Sequence, residues 1–206
     1  EFSLFHVDIE DMVAAGRGTK FQNLGKVTSM GSELNALLKL SNYSFLPNIY
    51  LSHTFLKTNI KDGMLEQYNF ISSNTEAISI NGNELPYCPN NVLLIGLEKI
   101  FIKKLSVRMD YKYVGKVFTD FHNLNELYIS NLGNRGPVPS YEVYNININY
   151  NISKKINVYI NGKNILDTIY IGSRLHSNPA QTAANISSGI LPGPRRQINF
   201  GINYIF

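Results

Sequence analysis

The stretch VYNININYNI, Val143 to Ile152, alternates apolar and polar residues without a break. Apolar or aromatic side chains take every second place: Tyr144, Ile146, Ile148, Tyr150 and Ile152. Asparagines take the others: Asn145, Asn147, Asn149 and Asn151. Because side chains on a β-strand point alternately to opposite faces, such a strand has one apolar face and one amide face.

This alternation fits two kinds of protein. In a soluble β-protein the apolar face packs on a core and the polar face meets water. In an outer-membrane barrel the apolar side chains face lipid and the polar ones face a wet lumen. The connections between strands favour one of these.

Eight strands are predicted, at about 2–11, 26–41, 46–58, 91–102, 105–117, 140–152, 155–164 and 196–206. Short connections join the second strand to the third, the fourth to the fifth and the sixth to the seventh. The other connections are long: 11–25, 59–90, 118–139 and 165–195. This strict alternation is typical of an up-and-down membrane barrel with short periplasmic turns and long outer loops. It predicts that residue 206 lies on the periplasmic side.

Composition agrees with a membrane barrel and excludes some other classes. The 206 residues suffice for one domain, spanning 1–206, and 17% are charged. No apolar run reaches the length of about 18 residues needed for a membrane helix, whereas barrel strands need only about 9–11 alternating residues. The net charge of +4 comes without a Lys/Arg run, which argues against nucleic acid as a partner.

The chain begins without an initiator Met or a signal peptide. Phe5, Val7 and Ile9 already alternate with polar residues, so we expect the sequence to start inside a strand. We therefore interpret it as a piece of a longer protein or as a trimmed product.

Aromatic residues occupy places where a barrel would need them. Tyr144, Tyr150 and Tyr204 lie near strand ends on the apolar face, as an interfacial girdle would. Phe206 ends the chain in register with Tyr204. Outer-membrane barrels characteristically end in this way, so we interpret Tyr204 and Phe206 as an assembly signal for the barrel-insertion machinery.

Four segments carry a family resemblance. NGKNILDTIYIGSR resembles the NLxDxxY signature of TonB-dependent outer-membrane receptors through Asn164, Asp167 and Tyr170, with Leu166 one place later than the usual Leu. LPGPRRQINFGINYIF, from Leu191, is similar to that family's RPGxPR closing segment, with Leu in place of the first Arg. Residues 85–101 resemble an lPyvPkh entry to an inner strand. Residues 23–40 resemble an N-x-G-x-x-x-x-G-x-E pattern through Asn23, Gly25, Gly31 and Glu33, with one more residue between the two glycines.

The resemblance implies a fold and a function. It implies an all-β, antiparallel, up-and-down transmembrane barrel of 22 strands in a Gram-negative outer membrane, of which this chain is the C-terminal part with about eight strands. The PGPRR ending leans toward receptors for ferric citrate and siderophores. The family's N-terminal plug, which contacts the TonB energy-coupling protein, has no counterpart here, so we do not expect this segment alone to perform energised transport.

The sequence offers binding rather than catalysis. It has no nucleophile-elbow or phosphate-loop motif. His6, His53, His122 and His176 lack metal-ligand spacing, and no cofactor is expected. Guanidinium groups pair well with anionic groups. The predicted contacts for an anionic ferric chelate are therefore the loop residues Arg174, His176, Arg195, Arg196, Arg135 and His122.

Several alternatives stay open at this point. The loop cations could instead contact lipopolysaccharide phosphates. The chain could be a complete eight-stranded barrel with a structural or adhesion role, or a soluble β-sandwich. Residues 178–194, rich in small and polar residues, are interpreted as a mobile loop that ligand could order.

Overall fold

Eight long strands form one antiparallel sheet. The computed structural model describes residues 1–15, 21–40, 45–69, 74–101, 104–125, 136–174 and 189–206. The long strands are β1 (Phe2–Ile9), β4 (Lys26–Leu38), β5 (Asn48–Asp62), β8 (Asn91–Phe101), β9 (Leu105–Val114), β10 (Tyr141–Asn151), β11 (Ile156–Lys163) and β14 (Gln197–Tyr204). All eight predicted strands are confirmed, with ends that shift by up to four residues. Within the described residues no helix is long and apolar enough to cross a membrane.

Three short hairpins lie within long connections that the sequence predicted to be loops. They are β2 (Val13–Ala15) with β3 (Phe21–Asn23), β6 (Met64–Asn69) with β7 (Asn74–Ser79), and β12 (Ile171–Arg174) with β13 (Ile190–Pro192). The loop interpretation of 178–194 is therefore wrong at Ile190–Pro192. Residues 178–188 lie outside the described part of the chain.

The sheet is an open meander. Its strand order is β1-β4-β5-β8-β9-β10-β11-β14, so each long strand pairs with its neighbours in the chain. β1 and β14 stand at opposite edges and do not pair with each other, which is incompatible with a closed eight-stranded barrel. The other sheets in the described residues are two-stranded hairpins, too small to form the second layer of a sandwich over eight strands.

The register defines the two faces of the sheet, because directly opposed residues share a face. One row of partners defines the apolar face: Leu38, Ile49, Leu97, Met109, Ile146, Gly162 and Ile198. Another defines the polar face: Asn48, Glu98, Arg108, Asn147, Asn161 and Asn199. The polar face of VYNININYNI thus continues across six strands.

The apolar side chains of the apolar face form a band, which we call the apolar band, and it runs obliquely to these rows. From Leu38 the apolar side chains of β4 continue toward the long connections and centre on Leu34, four residues away. From Ile198 those of β14 continue the opposite way and centre on Ile202, also four residues away. Eight residues span roughly 26 Å along strands, and six inter-strand steps span roughly 29 Å across them. The band is level only if the strands tilt by about 40°, within the range of about 35–45° found in membrane barrels.

The first strand departs from this simple division. In the β1–β4 register Phe5, Val7 and Ile9 oppose Gly31, Ser29 and Val27, so they lie on the polar face. The Phe5 ring lies over Gly31, 2.6 Å from the place a Cβ there would take, so Gly31 makes room for it. On the apolar face β1 places Phe2 and Leu4, followed by the polar residues His6 and Asp8.

A small hydrophobic core closes the long-connection end of the polar face. Val27 of β4 and Ile60 of β5 are fully buried there. They pack with residues of the connections and hairpins: Leu24, Leu65, Ile80 and Phe121. The long connections are therefore anchored to the sheet by burial of apolar surface, the main source of stability in any core.

Candidate functional site: the motif junction and the long-connection rim

The turn after β11 is organised by Asn164. Its backbone φ is +47°, a conformation that asparagine tolerates better than most residues. Its buried side-chain amide donates to the carbonyls of Thr168 (2.9 Å) and Pro194 (3.0 Å). The Thr168 N–H donates back to Asn164 Oδ1 at 2.9 Å. One side chain therefore closes the turn and ties it to the chain entering β14.

Asp167 makes the second tie. Arg195 donates from Nε to Asp167 Oδ1 at 2.8 Å and from Nη2 to Oδ2. The backbone N–H of Arg196 donates to the same Oδ1 at 2.9 Å. These donors hold the pKa of Asp167 well below its usual range, the Arg195 hydrogen bond contributing most. The carboxylate is thus ionised at neutral pH and Arg195 is held by a two-point ion pair.

Tyr170 makes the third tie. Its ring stacks on Tyr141 of β10, with centroids 4.2 Å apart. The ring also covers Gly193, where a Cβ would come within 2.2 Å of it. The Gly193 N–H donates to the Tyr170 carbonyl at 2.8 Å. The two sequence motifs, at 164–170 and 191–196, are therefore halves of one structure, which we call the motif junction.

Arg174 is not an exposed cation. It ends β12, and only 6% of the residue is exposed. Its Nε donates to the Pro137 carbonyl at 3.0 Å, and the Tyr87 hydroxyl donates to its carbonyl at 2.7 Å. Burial lowers the pKa of this guanidinium. The Tyr87 N–H in turn donates to the Phe118 carbonyl at 2.9 Å, so three long connections meet at Arg174.

A second set of hydrogen bonds joins the connection 80–90 to the connection 115–125. Asn123 and Glu84 bond reciprocally: the Glu84 N–H donates to Asn123 Oδ1 at 2.6 Å, and Asn123 Nδ2 donates to the Glu84 carbonyl at 2.9 Å. His122 is partly buried, and its N–H donates to Asp120 Oδ1 at 3.1 Å. Hydrogen bonds thus join the described parts of three long connections, those after β5, β9 and β11, into one rim.

The polar face carries paired charges on its short-turn half. The Tyr50 hydroxyl donates to Glu98 Oε2 at 2.5 Å, and Arg108 Nε donates to Asp110 Oδ1 at 2.8 Å. The Arg108 guanidinium also lies 4.9 Å from the centroid of the Tyr50 ring. Beside this cluster the polar face is lined by the asparagine side chains of β10, β11 and β14. Such a polar surface suits contact with water.

The structure places the predicted site residues in different surroundings. Arg195 and Arg196 come together on Asp167, Arg174 supports the rim from within, and His122 lies on the 115–125 connection. Arg135 and His176 lie outside the described residues. The ligand-binding role of all six stays a prediction.

Sequence reasoning missed two residues that organise this rim. Tyr87 and Asn123 each join separate connections, yet neither carries a charge or a recognised binding pattern. The only signal was that Tyr87 stands inside the LPYCPNN segment.

A metal site and a reactive thiol each set requirements that can be compared with the described part of the rim. Among the described residues no group of three His, Cys, Asp or Glu side chains could hold a metal ion. Cys88 is half-buried, and desolvation raises the pKa of its thiol. Such a thiol is a weak nucleophile at neutral pH.

The chain belongs to a family of receptor barrels. The family model described as TonB dependent receptor-like, beta-barrel matches residues 1–165. This confirms the resemblance that the four sequence segments carried.

Solved structures show the same fold. The siderophore receptor PiuA from Acinetobacter baumannii is 20% identical and has a TM-score of 0.73, covering 98% of this chain and 25% of its own. The unliganded ferric citrate transporter FecA is 17% identical with a TM-score of 0.75, covering 99% of this chain and 28% of its own. The copper transporter OprC is 16% identical with a TM-score of 0.66, covering 100% and 28%. No curated protein matches the chain.

The chain therefore spans about a quarter of the length of these solved receptors. This agrees with the open sheet, which is a piece of a barrel wall rather than a closed barrel.

Proposed function

We propose that this chain forms eight strands of the wall of an outer-membrane receptor that takes up a ferric chelate. The long connections, with their rim and motif junction, lie outside the cell, and the short turns lie in the periplasm. The family match and the solved siderophore and ferric citrate proteins support this assignment. OprC, described as a copper transporter, shares the fold, so the fold alone does not select the metal.

The oblique apolar band carries the membrane part of the proposal. A tilt of about 40° levels that band, and membrane barrels have this tilt because closure of a sheet requires it. The band is also exposed at the middle of the sheet, where Leu97 and Met109 are 40% and 46% exposed. A lipid environment would remove this apolar surface from water.

Recognition of the chelate is proposed for the long-connection side. Arg196 and Arg195 have exposed side chains, and Arg195 is 59% exposed despite its ion pair. Together with His122, and with Arg135 and His176, they would attract an anionic complex into the mouth of the barrel. Arg174, being buried, would act by holding the connections in place.

The other proposed partners are TonB, the barrel-insertion machinery and the membrane lipids, and they belong to the complete protein. Energy would come from the TonB protein, through the plug domain of the complete receptor. Tyr204 and Phe206, which are 53% and 100% exposed with rings 5.0 Å apart, would be read by the insertion machinery. Lipid and lipopolysaccharide would surround the wall. We infer no enzymatic reaction and no cofactor, because binding and transport account for the site.

Titration of ferric citrate, a ferric catecholate and a ferric hydroxamate into the complete protein tests the function. In a double variant, Arg196→Gln with His122→Gln, the affinity for the preferred chelate should fall at least about tenfold, equivalent to about 1.4 kcal/mol. Lys116→Gln, on the same connection as His122, serves as the control and should bind normally.

Two results would count against the proposal. If the complete protein binds none of the three ferric chelates, a ferric cargo is wrong, and a copper complex is the next to titrate. If the double variant assembles and binds like the parent, the chelate is recognised elsewhere.

A further inference from the structure

The polar face of β10, β11 and β14 is lined largely by side-chain amides. The register brings Asn147, Asn161 and Asn199 into one row across the three strands. We call the whole set the amide surface, and its members are Asn145, Asn147, Asn149, Asn151, Asn157, Asn161, Gln197, Asn199 and Asn203. On β10 it extends from Asn145 to Asn151, roughly 20 Å along the strand.

Tyr159 stands among the amides and lies flat. It opposes Gly201 within the amide surface. A Cβ on Gly201 would come within 2.4 Å of the Tyr159 hydroxyl oxygen, so the ring lies across the glycine and does not stand out from the sheet. Near the short turns, Asn157 Nδ2 donates to Asn151 Oδ1 at 2.9 Å, and Asn203 Nδ2 donates to Asn157 Oδ1 at 3.4 Å.

Charge distinguishes the amide surface from the rest of the polar face. Within β10, β11 and β14, which the structure describes throughout, the polar face carries one charged side chain, Lys163, at the long-connection end. The polar face of β4, β8 and β9 carries five: Glu33, Glu98, Arg108, Asp110 and Lys112. The charges of the polar face are thus gathered on one side of the amide surface.

Resting on the proposed function, we propose that the amide surface is the side of the lumen along which an anionic ferric chelate passes. Passage requires contacts strong enough to admit the cargo and weak enough to release it. A side-chain amide offers donors and an acceptor, and a neutral hydrogen bond exchanged against one to water has a small net stability. The oxygens of a chelate can therefore move from one amide to the next.

The charged part of the polar face suits passage less well. There Arg108 donates to Asp110 and lies against the Tyr50 ring, while Glu98 accepts a hydrogen bond from Tyr50. A fixed cation holds an anionic cargo and a fixed carboxylate repels it, so both slow its movement. At the amide surface the cations stand at the entrance instead, with exposed Lys163 ending β11.

Uptake of radiolabelled iron by cells that carry the complete protein tests the passage. The probe is ferric citrate or a ferric catecholate, both anionic, whichever of them the complete protein binds. Asn161→Asp with Asn199→Asp places two opposed carboxylates within the amide surface. In water, a carboxylate a few Å away disfavours a passing anion by a factor of roughly three to five, so two should lower the maximal uptake rate at least about tenfold. Affinity at the mouth, measured without energy, should change less than about twofold, because salt screens charges at that distance.

The matched control places opposed carboxylates on the polar face outside the amide surface. Asn35→Asp with Ser52→Asp does so, because these residues oppose each other on β4 and β5. This pair should slow uptake less than about twofold, since screening weakens its effect on cargo that moves along other strands. Asn161→Gln with Asn199→Gln keeps both amides and should rescue most of the uptake rate that the aspartate pair loses.

An unchanged uptake rate in the aspartate pair, or an equal loss in the control pair, overturns the proposal. An equal loss in the glutamine pair also overturns it, because the effect would then not depend on charge. If the aspartate pair admits antibiotics that the parent excludes, the amide surface holds the plug in the lumen and the passage is refuted. If the complete protein binds neither anionic probe, the proposed function itself fails, whereas normal binding with unchanged uptake refutes the passage alone.

Discussion

Replacing Ile148 by Arg should destabilise the protein in a membrane far more than the same change one residue earlier. Ile148 is the middle one of the five apolar-face residues of its stretch and opposes Val107 and Ile160 on the same face. The border tyrosines Tyr144 and Tyr150 flank it, so it lies near the middle of the apolar band. A lipid-facing Arg at this depth costs about 2–4 kcal/mol.

Asn147→Arg is the matched change, because it moves the new charge to the polar face. Asn147 opposes Arg108, and like charges opposed on a sheet cost about 0.2–1 kcal/mol. The two variants should therefore differ by at least about 1 kcal/mol, roughly a fivefold or greater ratio in the folding equilibrium constant.

Urea titration of the complete protein folded into lipid vesicles measures this difference as a shift in midpoint with an unchanged slope. Ile148→Met, which keeps the apolar character and similar volume, controls for packing and should cost less than about 1.5 kcal/mol. Equal costs for the two Arg variants, or a larger cost at Asn147, would refute the assignment of faces.

Three further outcomes follow from the motif junction and the rim. Because the folded-state pKa of Asp167 is lowered, its ion pair with Arg195 contributes its full stability above the usual Asp pKa of about 3.9. This stability is lost as the pH falls toward the folded-state pKa. Asp167→Asn should reduce the loss, so the urea midpoints at about pH 3 and pH 7 should differ less than in the parent. Gly193→Ala forces the Tyr170 ring away and should cost about 1–3 kcal/mol by overpacking, measured in the same titration, whereas a neutral result would show that the ring has room to shift. Arg174→Ala should speed proteolysis of the connection it holds, with Arg174→Lys intermediate, and unchanged cleavage would show that the buried guanidinium does not order the rim.

The strands and their connectivity could be predicted from the sequence because both depend on local pattern. Alternation with a period of two is a property of each segment alone, and the lengths of the connections need no tertiary information. The stretch at Val143–Ile152 and the closing strand before Phe206 were both assigned in this way. Family membership was also readable, since the motifs at 164–170 and 191–196 are contiguous in the chain.

The tertiary structure decided which residues act together. The sequence placed Arg174 and Arg195 in one loop as equivalent cations, whereas folding buries the first against Pro137 and pairs the second with Asp167. Likewise, alternation identified the strand around Phe5 but not its facing. That depends on a register with β4 in which Gly31 offers room for the ring.

The tilt of the apolar band was likewise decided by the tertiary structure. Each strand by itself shows an apolar face, but the tilt exists only in the offset between strands. The row of opposed residues from Leu38 to Ile198 crosses the apolar band obliquely. The offset between strands that causes this is fixed by their hydrogen-bonded register, which long-range pairing sets. Local pattern therefore determined what each strand is, and non-local pairing determined how the strands make a tilted wall with short turns at one end and long connections at the other.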